Sequence, residues 1–144
     1  MGNQLLSDDG VGLCVAAELK SKLDQPDITV IETSCAGLSL LDLLIGYDKA
    51  IIIDAIQTLN GKPGQFYQLN PQSFDTTRRT ASPHDVNFTT ALELGKKLDL
   101  HLPQEIVIFA IEASDVSTFK EECTPEVKRA IPTCVEMVLQ ELNT

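Results

Sequence analysis

Apolar side chains follow two different spacings along this 144-residue chain. Four segments have them at helical intervals: residues 11–23, 38–45, 85–98 and 125–142. Four apolar or β-branched runs predict strands, of which the second and fourth are apolar enough to be buried on both faces: residues 29–31, 50–53, 65–69 and 106–111. The alternation of strands and helices predicts a three-layer α/β/α fold with a mostly parallel, twisted central sheet, formed by one domain over residues 1–144.

Polar residues mark the starts of the helices. Asp8 or Asp9 is predicted to cap the first helix. Thr124, followed by a proline and a glutamate, is typical of a helix start and opens the last helix. Residues 70–82 are polar and predict a surface loop, with a mobile flap beside a functional site as the alternative.

The composition excludes several classes of function. The chain has 21 acidic and 11 basic residues, a net charge of −10, which argues against binding to nucleic-acid phosphates. No apolar run approaches the roughly 18 residues of a membrane span, and the first residues show no secretory signal, so we expect a cytoplasmic protein. The acidic surface favours a monomer in transient contact with its partner.

The four cysteines form no C-x-x-C pair, which argues against a zinc knuckle. A disulfide framework is unnecessary in a chain of this length. Cys14 and Cys134 fall in helical patterns and are predicted to be small buried hydrophobic residues. Cys35 falls in a predicted loop and could be more reactive, but no histidine lies near it in sequence, so we favour a non-catalytic role.

Three residues with carboxylate or imidazole side chains are the candidates for chemistry. Asp9 precedes the first helix, Asp54 directly follows three isoleucines, and His84 precedes a later helix. Such positions converge in an α/β fold, because open sheets bind ligands beyond the carboxyl ends of their strands. Each has a structural alternative: a helix cap for Asp9, a loop-bonding aspartate for Asp54 and a packed loop residue for His84. Together they would meet the usual three protein ligands of a catalytic metal.

The remaining signals are negative. His101 falls in a predicted loop and is expected at the surface. The chain lacks the G-x-G-x-x-G, Walker, H-E-x-x-H and G-x-S-x-G motifs, which argues against the corresponding nucleotide-binding, zinc-protease and serine-hydrolase classes.

Four short motifs follow one another along the chain: residues 2–12 (GNQLLSDDGVG), 36–38 (AGL), 53–55 (IDA) and 82–85 (SPHD). Together they resemble the hydrogenase maturation endopeptidases, which process the large subunits of nickel–iron hydrogenases. The resemblance spans essentially the whole chain, with residues 111–113 and 124–127 also fitting.

The resemblance implies a site and an activity. In this family an acidic residue of the first motif, the aspartate after a central strand and the histidine before a late helix bind metal, and these fall on Asp9, Asp54 and His84. It also implies that Asp8 serves structure while Asp9 points into the crevice. The expected reaction removes a C-terminal peptide from the large-subunit precursor after nickel insertion. Nickel then arrives with the substrate, whose cysteine thiolates complete its shell, although other divalent metals suit the same ligands.

Two departures from the family pattern stand out. Only Met1 precedes Gly2, where the family has an apolar strand, so either this strand is absent or an N-terminal segment is missing from the sequence. We expect a missing segment, because loss of a core strand would remove many buried residues. Residues 33–35 (TSC) stand where glycines are common, which puts substrate selection by that loop in doubt.

Two other functions stay open. One is a same-fold protease with another protein substrate, as in the spore germination proteases, which would not need His84. The other is a non-catalytic module that senses nickel insertion without cutting.

Overall fold

The fold is described from a computed structural model, over residues 1–34, 37–77 and 87–144. After a short 3-10 helix at Ser7–Gly10, the described elements follow in chain order: α1 (Val11–Lys22), α2 (Ser39–Leu44), β1 (Lys49–Ile56), β2 (Phe66–Leu69), α3 (Pro71–Thr77), α4 (Phe88–Lys97), β3 (Glu105–Glu112) and α5 (Pro125–Leu142). None of the helices in the described part of the chain is both long and apolar enough to cross a membrane.

The sheet has the order β1-β3-β2 in the described residues. Strand β1 pairs with β3 in parallel, with Asp54 opposite Ala110, while β2 pairs with β3 in the antiparallel direction. The two parallel strands are the two continuous apolar runs, as predicted. They are longer than the sequence pattern indicated, and Asp54 therefore lies within β1 rather than after its end.

The helices cover both faces of the sheet, which confirms the three-layer prediction. Helices α1 and α5 share one buried cluster with the odd-numbered side chains of β1 and β3, such as Ile53 and Phe109. Helices α2, α3 and α4 pack over the even-numbered side chains, such as Ile52 and Ile108. Since side chains alternate along a strand, Asp54 belongs to the α2–α4 face.

The prediction of a strand at residues 29–31 is wrong. This segment has no strand pairing in the described residues, and the nearby main-chain bond is the one from the Gly2 amide to the Thr33 carbonyl, at 3.1 Å. A β-branched run forms a strand only when a neighbouring backbone offers it a ladder of hydrogen bonds. Here the Gly2–Thr33 bond is a single contact and not a ladder.

The predicted loop over residues 70–82 is also wrong in its first half, which forms α3. The side chain of Asn70 accepts a hydrogen bond from the Ser73 amide at 2.7 Å, and Pro71 occupies the first helical position. An N-cap asparagine followed by proline is a helix start that the polar composition concealed.

Two predicted helix starts need correction. Gly10 lies at the cap position of α1, where neither Asp8 nor Asp9 caps the helix with its side chain, because both belong to the preceding 3-10 helix. Helix α4 begins at Phe88 rather than at Asp85, and its N-cap is Asn87, whose side chain accepts from the Thr90 amide.

Candidate active site

Asp8 is a structural residue, as expected. Its carboxylate has no solvent exposure and accepts hydrogen bonds from the Ser114 and Asp115 amides at 2.8 and 3.0 Å. It also accepts from the amide and the hydroxyl of Thr124, at 2.6 Å and 2.8 Å. These bonds tie the 3-10 helix to the loop after β3 and to the start of α5, which fixes the position of the next residue, Asp9.

Asp9 lies over the N-terminal segment of the chain. Its Oδ2 accepts a hydrogen bond from the Asn3 amide at 3.0 Å, and its carbonyl oxygen packs against Gly2. A Cβ atom on Gly2 would come within 1.8 Å of that oxygen, and the φ of Gly2 is +135°, so the contact requires glycine.

Asp54 lies next to the same segment. Its Oδ1 accepts from the Ala55 amide at 2.9 Å, and the Met1 ammonium group donates to the neighbouring Ile53 carbonyl at 2.7 Å. Burial lowers the pKa of the Met1 ammonium, while the charges of Asp54 and then Asp9 raise it. Both carboxylates therefore border the N-terminal segment, Asp9 through its bond with Asn3 and Asp54 next to the residue that binds Met1, near the carboxyl end of β1.

A close approach of helix to strand places the two elements that carry the aspartates side by side. Gly12, in the first turn of α1, lies so near β1 that a Cβ there would be 2.3 Å from the Ile53 carbonyl oxygen. The short spacing lets the 3-10 helix that carries Asp9 reach the strand that carries Asp54.

His84 lies outside the described residues, as do Cys35 and the whole Ser82–Asp85 motif. The elements that flank its segment are held together by Asp75 of α3. The Asp75 carboxylate accepts hydrogen bonds from the Phe88 amide at 3.1 Å and from the Thr89 amide and hydroxyl, each at 2.8 Å. The rings of Phe74 and Phe88 meet edge to face, with centroids 5.4 Å apart, on the α2–α4 face of the sheet.

The start of α4 lies toward the carboxyl ends of the parallel strands. The loop after α4 binds the residues just before β1, at the opposite edge of the sheet. There the Gln104 amide donates to the Asp48 carbonyl, and the Gly46 amide donates to the His101 carbonyl. Because α4 ends at the amino edge of β1, it begins nearer the edge that carries Asp54. His101 itself is exposed, as predicted, and lies 3.6 Å from Asp48.

A second buried carboxylate, Glu112, escaped the sequence analysis as a functional candidate. It ends β3 on the same face as Asp54, with 2% exposure. Its oxygens accept from the Thr58 amide and hydroxyl and from the Tyr67 hydroxyl. These partners give it a structural role, which is to hold the β1–β2 loop against the sheet.

Nothing in the described residues forms a group of three or more histidine, cysteine or acidic side chains arranged to hold a metal ion. Of the three predicted metal ligands, Asp9 and Asp54 lie in the described residues.

The comparisons with known proteins identify the family. The model of the hydrogenase maturation protease family matches residues 13–141. The chain belongs to this family. It is 32% identical to the FrxA protein of Pyrococcus furiosus over 139 residues, which cover 93% of this chain and 95% of that protein.

Two further relatives match over nearly the whole of this chain. The hydrogenase 2 maturation protease of Escherichia coli is 24% identical over 145 aligned positions, which cover 99% of this chain and 87% of that protein. The solved structure of the hydrogenase maturating endopeptidase HybD from E. coli is 25% identical, with a TM-score of 0.82 over 99% of this chain and 88% of that structure. The fold and the family resemblance predicted from the sequence are thereby confirmed.

Proposed function

We propose that this maturation protease is a nickel-dependent endopeptidase that removes a C-terminal peptide from the precursor of a nickel–iron hydrogenase large subunit, after nickel has been inserted. The observation that supports the proposal is that the 3-10 helix with Asp9 contacts the strand with Asp54 near the carboxyl edge of the sheet, in a chain of this family.

His84 is the third residue of the proposed site. It precedes Asn87, the N-cap of α4, by three residues, and three residues span at most about 11 Å. We propose that this segment brings the imidazole to the two carboxylates, because α4 begins toward the edge that carries Asp54, on the same face of the sheet.

Two carboxylates and an imidazole suit a divalent ion such as nickel, and they leave coordination positions for other ligands. We propose that the nickel belongs to the substrate, which holds it through cysteine thiolates. Asp9, Asp54 and His84 then bind the exposed side of that ion and so position the scissile bond. On this account an unloaded precursor is a poor substrate, because it lacks the group that the site recognises.

Replacement of each histidine by alanine, in separate variants, tests the proposal. His84→Ala should abolish release of the C-terminal peptide from a nickel-loaded precursor, and His101→Ala should process it as the wild type does. His101 is the matched control because it is exposed at the opposite edge of the sheet. Intact mass spectrometry of the precursor measures both.

The same measurement separates the alternatives. A same-fold protease with another substrate requirement would keep its activity in His84→Ala. A binding module would form a complex with the precursor and release no peptide from the wild type under any metal loading. Either result would overturn the proposed function.

A further inference from the structure

Two apolar side chains project into solvent at the edge of the sheet that carries Asp54. Phe119 is 85% exposed and Leu59 is 80% exposed, more than any other large apolar side chain in the described residues. Leu59 lies in the loop after β1 and Phe119 in the loop after β3, so both follow the carboxyl ends of the two parallel strands. Open α/β sheets bind ligands beyond those ends, and the candidate site lies at the same edge.

The segment that carries Phe119 is held on both sides. The Asp115 carboxylate accepts hydrogen bonds from the amides of the two residues before Phe119, each at 3.0 Å. After it, the Lys120 amide donates to the Leu5 carbonyl at 3.0 Å, and the Lys120 carbonyl accepts from the Ser7 amide at 2.8 Å. An exposed phenylalanine on a segment fixed in this way is typical of a binding anchor, because a partner covers its apolar surface without having to order the segment.

The loop with Phe119 is also fastened to the residue that precedes Asp9. The Asp8 carboxylate accepts a hydrogen bond from the Ser114 amide at the start of the loop, at 2.8 Å, and from the Thr124 amide at its end, at 2.6 Å. A partner that covers Phe119 is therefore placed beside the 3-10 helix that carries Asp9.

The loop with Leu59 is held by the sheet. The amide and hydroxyl of Thr58, the preceding residue, donate to the buried Glu112 at the end of β3. The loop also packs closely on this carboxylate, because a Cβ on Gly61 would come within 1.5 Å of its Oε1 atom. Leu59 is thus a second apolar side chain presented from a fixed position.

The charges around Phe119 indicate the chemistry of its partner. Residues 113–124 contain three acidic side chains, Asp115, Glu121 and Glu122, and one basic side chain, Lys120. Glu121 and Glu122 are exposed. Because binding surfaces pair opposite charges, a matching partner has basic side chains facing these glutamates and an apolar patch that receives Phe119.

We propose that Phe119 and Leu59 form a docking surface for such a patch on the hydrogenase large-subunit precursor. The inference rests on the proposed function, because the precursor is the protein that has to reach the site beside Asp9. The surface makes the same contacts before and during cleavage, so it lowers KM and leaves kcat unchanged. It contacts no nickel, so it binds the nickel-free precursor as well.

Initial rates of peptide release at increasing concentrations of nickel-loaded precursor test the inference. Phe119→Ala should raise KM about 10-fold and Leu59→Ala about 3-fold, both with an unchanged kcat. Phe119→Leu keeps an apolar side chain and should recover most of the loss. Leu98→Ala is the matched control, because Leu98 is 60% exposed at the end of α4, near the opposite edge of the sheet, and it should process the precursor as the wild type does.

A binding measurement separates docking from the proposed protease activity. In isothermal titration calorimetry with the nickel-free precursor, Phe119→Ala should bind about 10-fold more weakly than the wild type. If the wild type releases no peptide from the nickel-loaded precursor, the proposed function fails and this titration alone decides the inference.

Three results would overturn the docking surface. The first is an absence of wild-type binding to the nickel-free precursor, and the second is an equal affinity of Phe119→Ala and the wild type. The third is a loss of self-association in Phe119→Ala, seen by analytical ultracentrifugation, with no change in affinity for the precursor. That result would assign the surface to a second copy of this chain.

Discussion

The carboxylate of Asp8 accepts hydrogen bonds from both the amide and the hydroxyl of Thr124, which is 116 residues away along the chain. This contact links the first turn of structure to the start of the last helix. Asp9 directly follows Asp8 in the chain. The position of Asp9 therefore depends on the buried hydrogen bonds of Asp8, which is not itself expected to contact the substrate.

Replacement of Asp8 should therefore destabilise the protein. In Asp8→Asn one carboxylate oxygen becomes an amide nitrogen, which faces backbone and hydroxyl donors instead of accepting from them. We expect a loss of about 2–4 kcal/mol in the free energy of unfolding, measured by urea titration. The exposed Asp24→Asn is the matched control and should change it by less than about 0.5 kcal/mol. An equal effect of the two would contradict a structural role for the Asp8 network.

Gly12 provides a second test of the site's construction. A Cβ in Gly12→Ala would meet the Ile53 and Met1 carbonyl oxygens at 2.3 and 2.5 Å, which would push α1 away from β1. We expect a loss of about 1–3 kcal/mol in the free energy of unfolding, together with slower peptide release, because Asp9 moves away from Asp54. Ala17→Ser, on the exposed side of α1, should leave both unchanged. Normal processing by a destabilised Gly12→Ala would show that the spacing of the two aspartates is not critical.

Asp75 should matter to activity although it lies outside the proposed ligand set. Asp75→Asn weakens the acceptor for the Phe88 and Thr89 amides, and so loosens the start of α4 from α3. We expect slower processing of the nickel-loaded precursor and about 1–2 kcal/mol less stability. Asp42→Asn, in α2, serves as the comparison. If processing by Asp75→Asn equals that of the wild type, the α3–α4 junction does not position the segment with His84.

Tyr67 gives a prediction about pH. Burial and then the hydrogen bond to Glu112 raise the pKa of Tyr67, while the bond with Thr58 opposes them. A group whose folded-state pKa is raised stabilises the fold below its unfolded pKa, about 10, and loses that contribution as pH rises through the folded value.

The chain has two tyrosines, so Tyr47→Phe leaves Tyr67 as the sole phenol. We expect ultraviolet absorbance to titrate in this variant with a midpoint above 10 in the folded protein. After unfolding in urea the midpoint should fall to the ordinary value. A folded-state midpoint at or below the unfolded one would contradict the burial of Tyr67 against Glu112.

The sequence predicted the elements that local pattern determines. The isoleucine run of β1 and the apolar run of β3 form the two parallel strands, as their composition predicted. Thr124-Pro125 marks the start of α5, although the Thr124 hydroxyl binds Asp8 instead of capping the helix. The strand predicted at residues 29–31 failed because strand formation depends on a partner backbone, which no local pattern shows.

The site was predictable only where a local motif marks its residues. Asp9 and Asp54 could be singled out because their motifs resemble those of a family, and in the structure both adjoin the N-terminal segment. The residues that support them depend on distant contacts: Asp8 with Thr124, and Asp75 with Phe88. Cys134 is buried as predicted but Cys14 is exposed, because burial depends on which side of α1 meets α5, which helical periodicity alone did not resolve.

Processing of matched precursors tests the central claim most directly. A hydrogenase large-subunit precursor is prepared with and without inserted nickel, incubated with this protein, and weighed by intact mass spectrometry. Recognition of substrate-borne nickel by Asp9, Asp54 and His84 predicts that a C-terminal peptide is lost from the nickel-loaded precursor alone. Equal cleavage of both precursors would contradict that account.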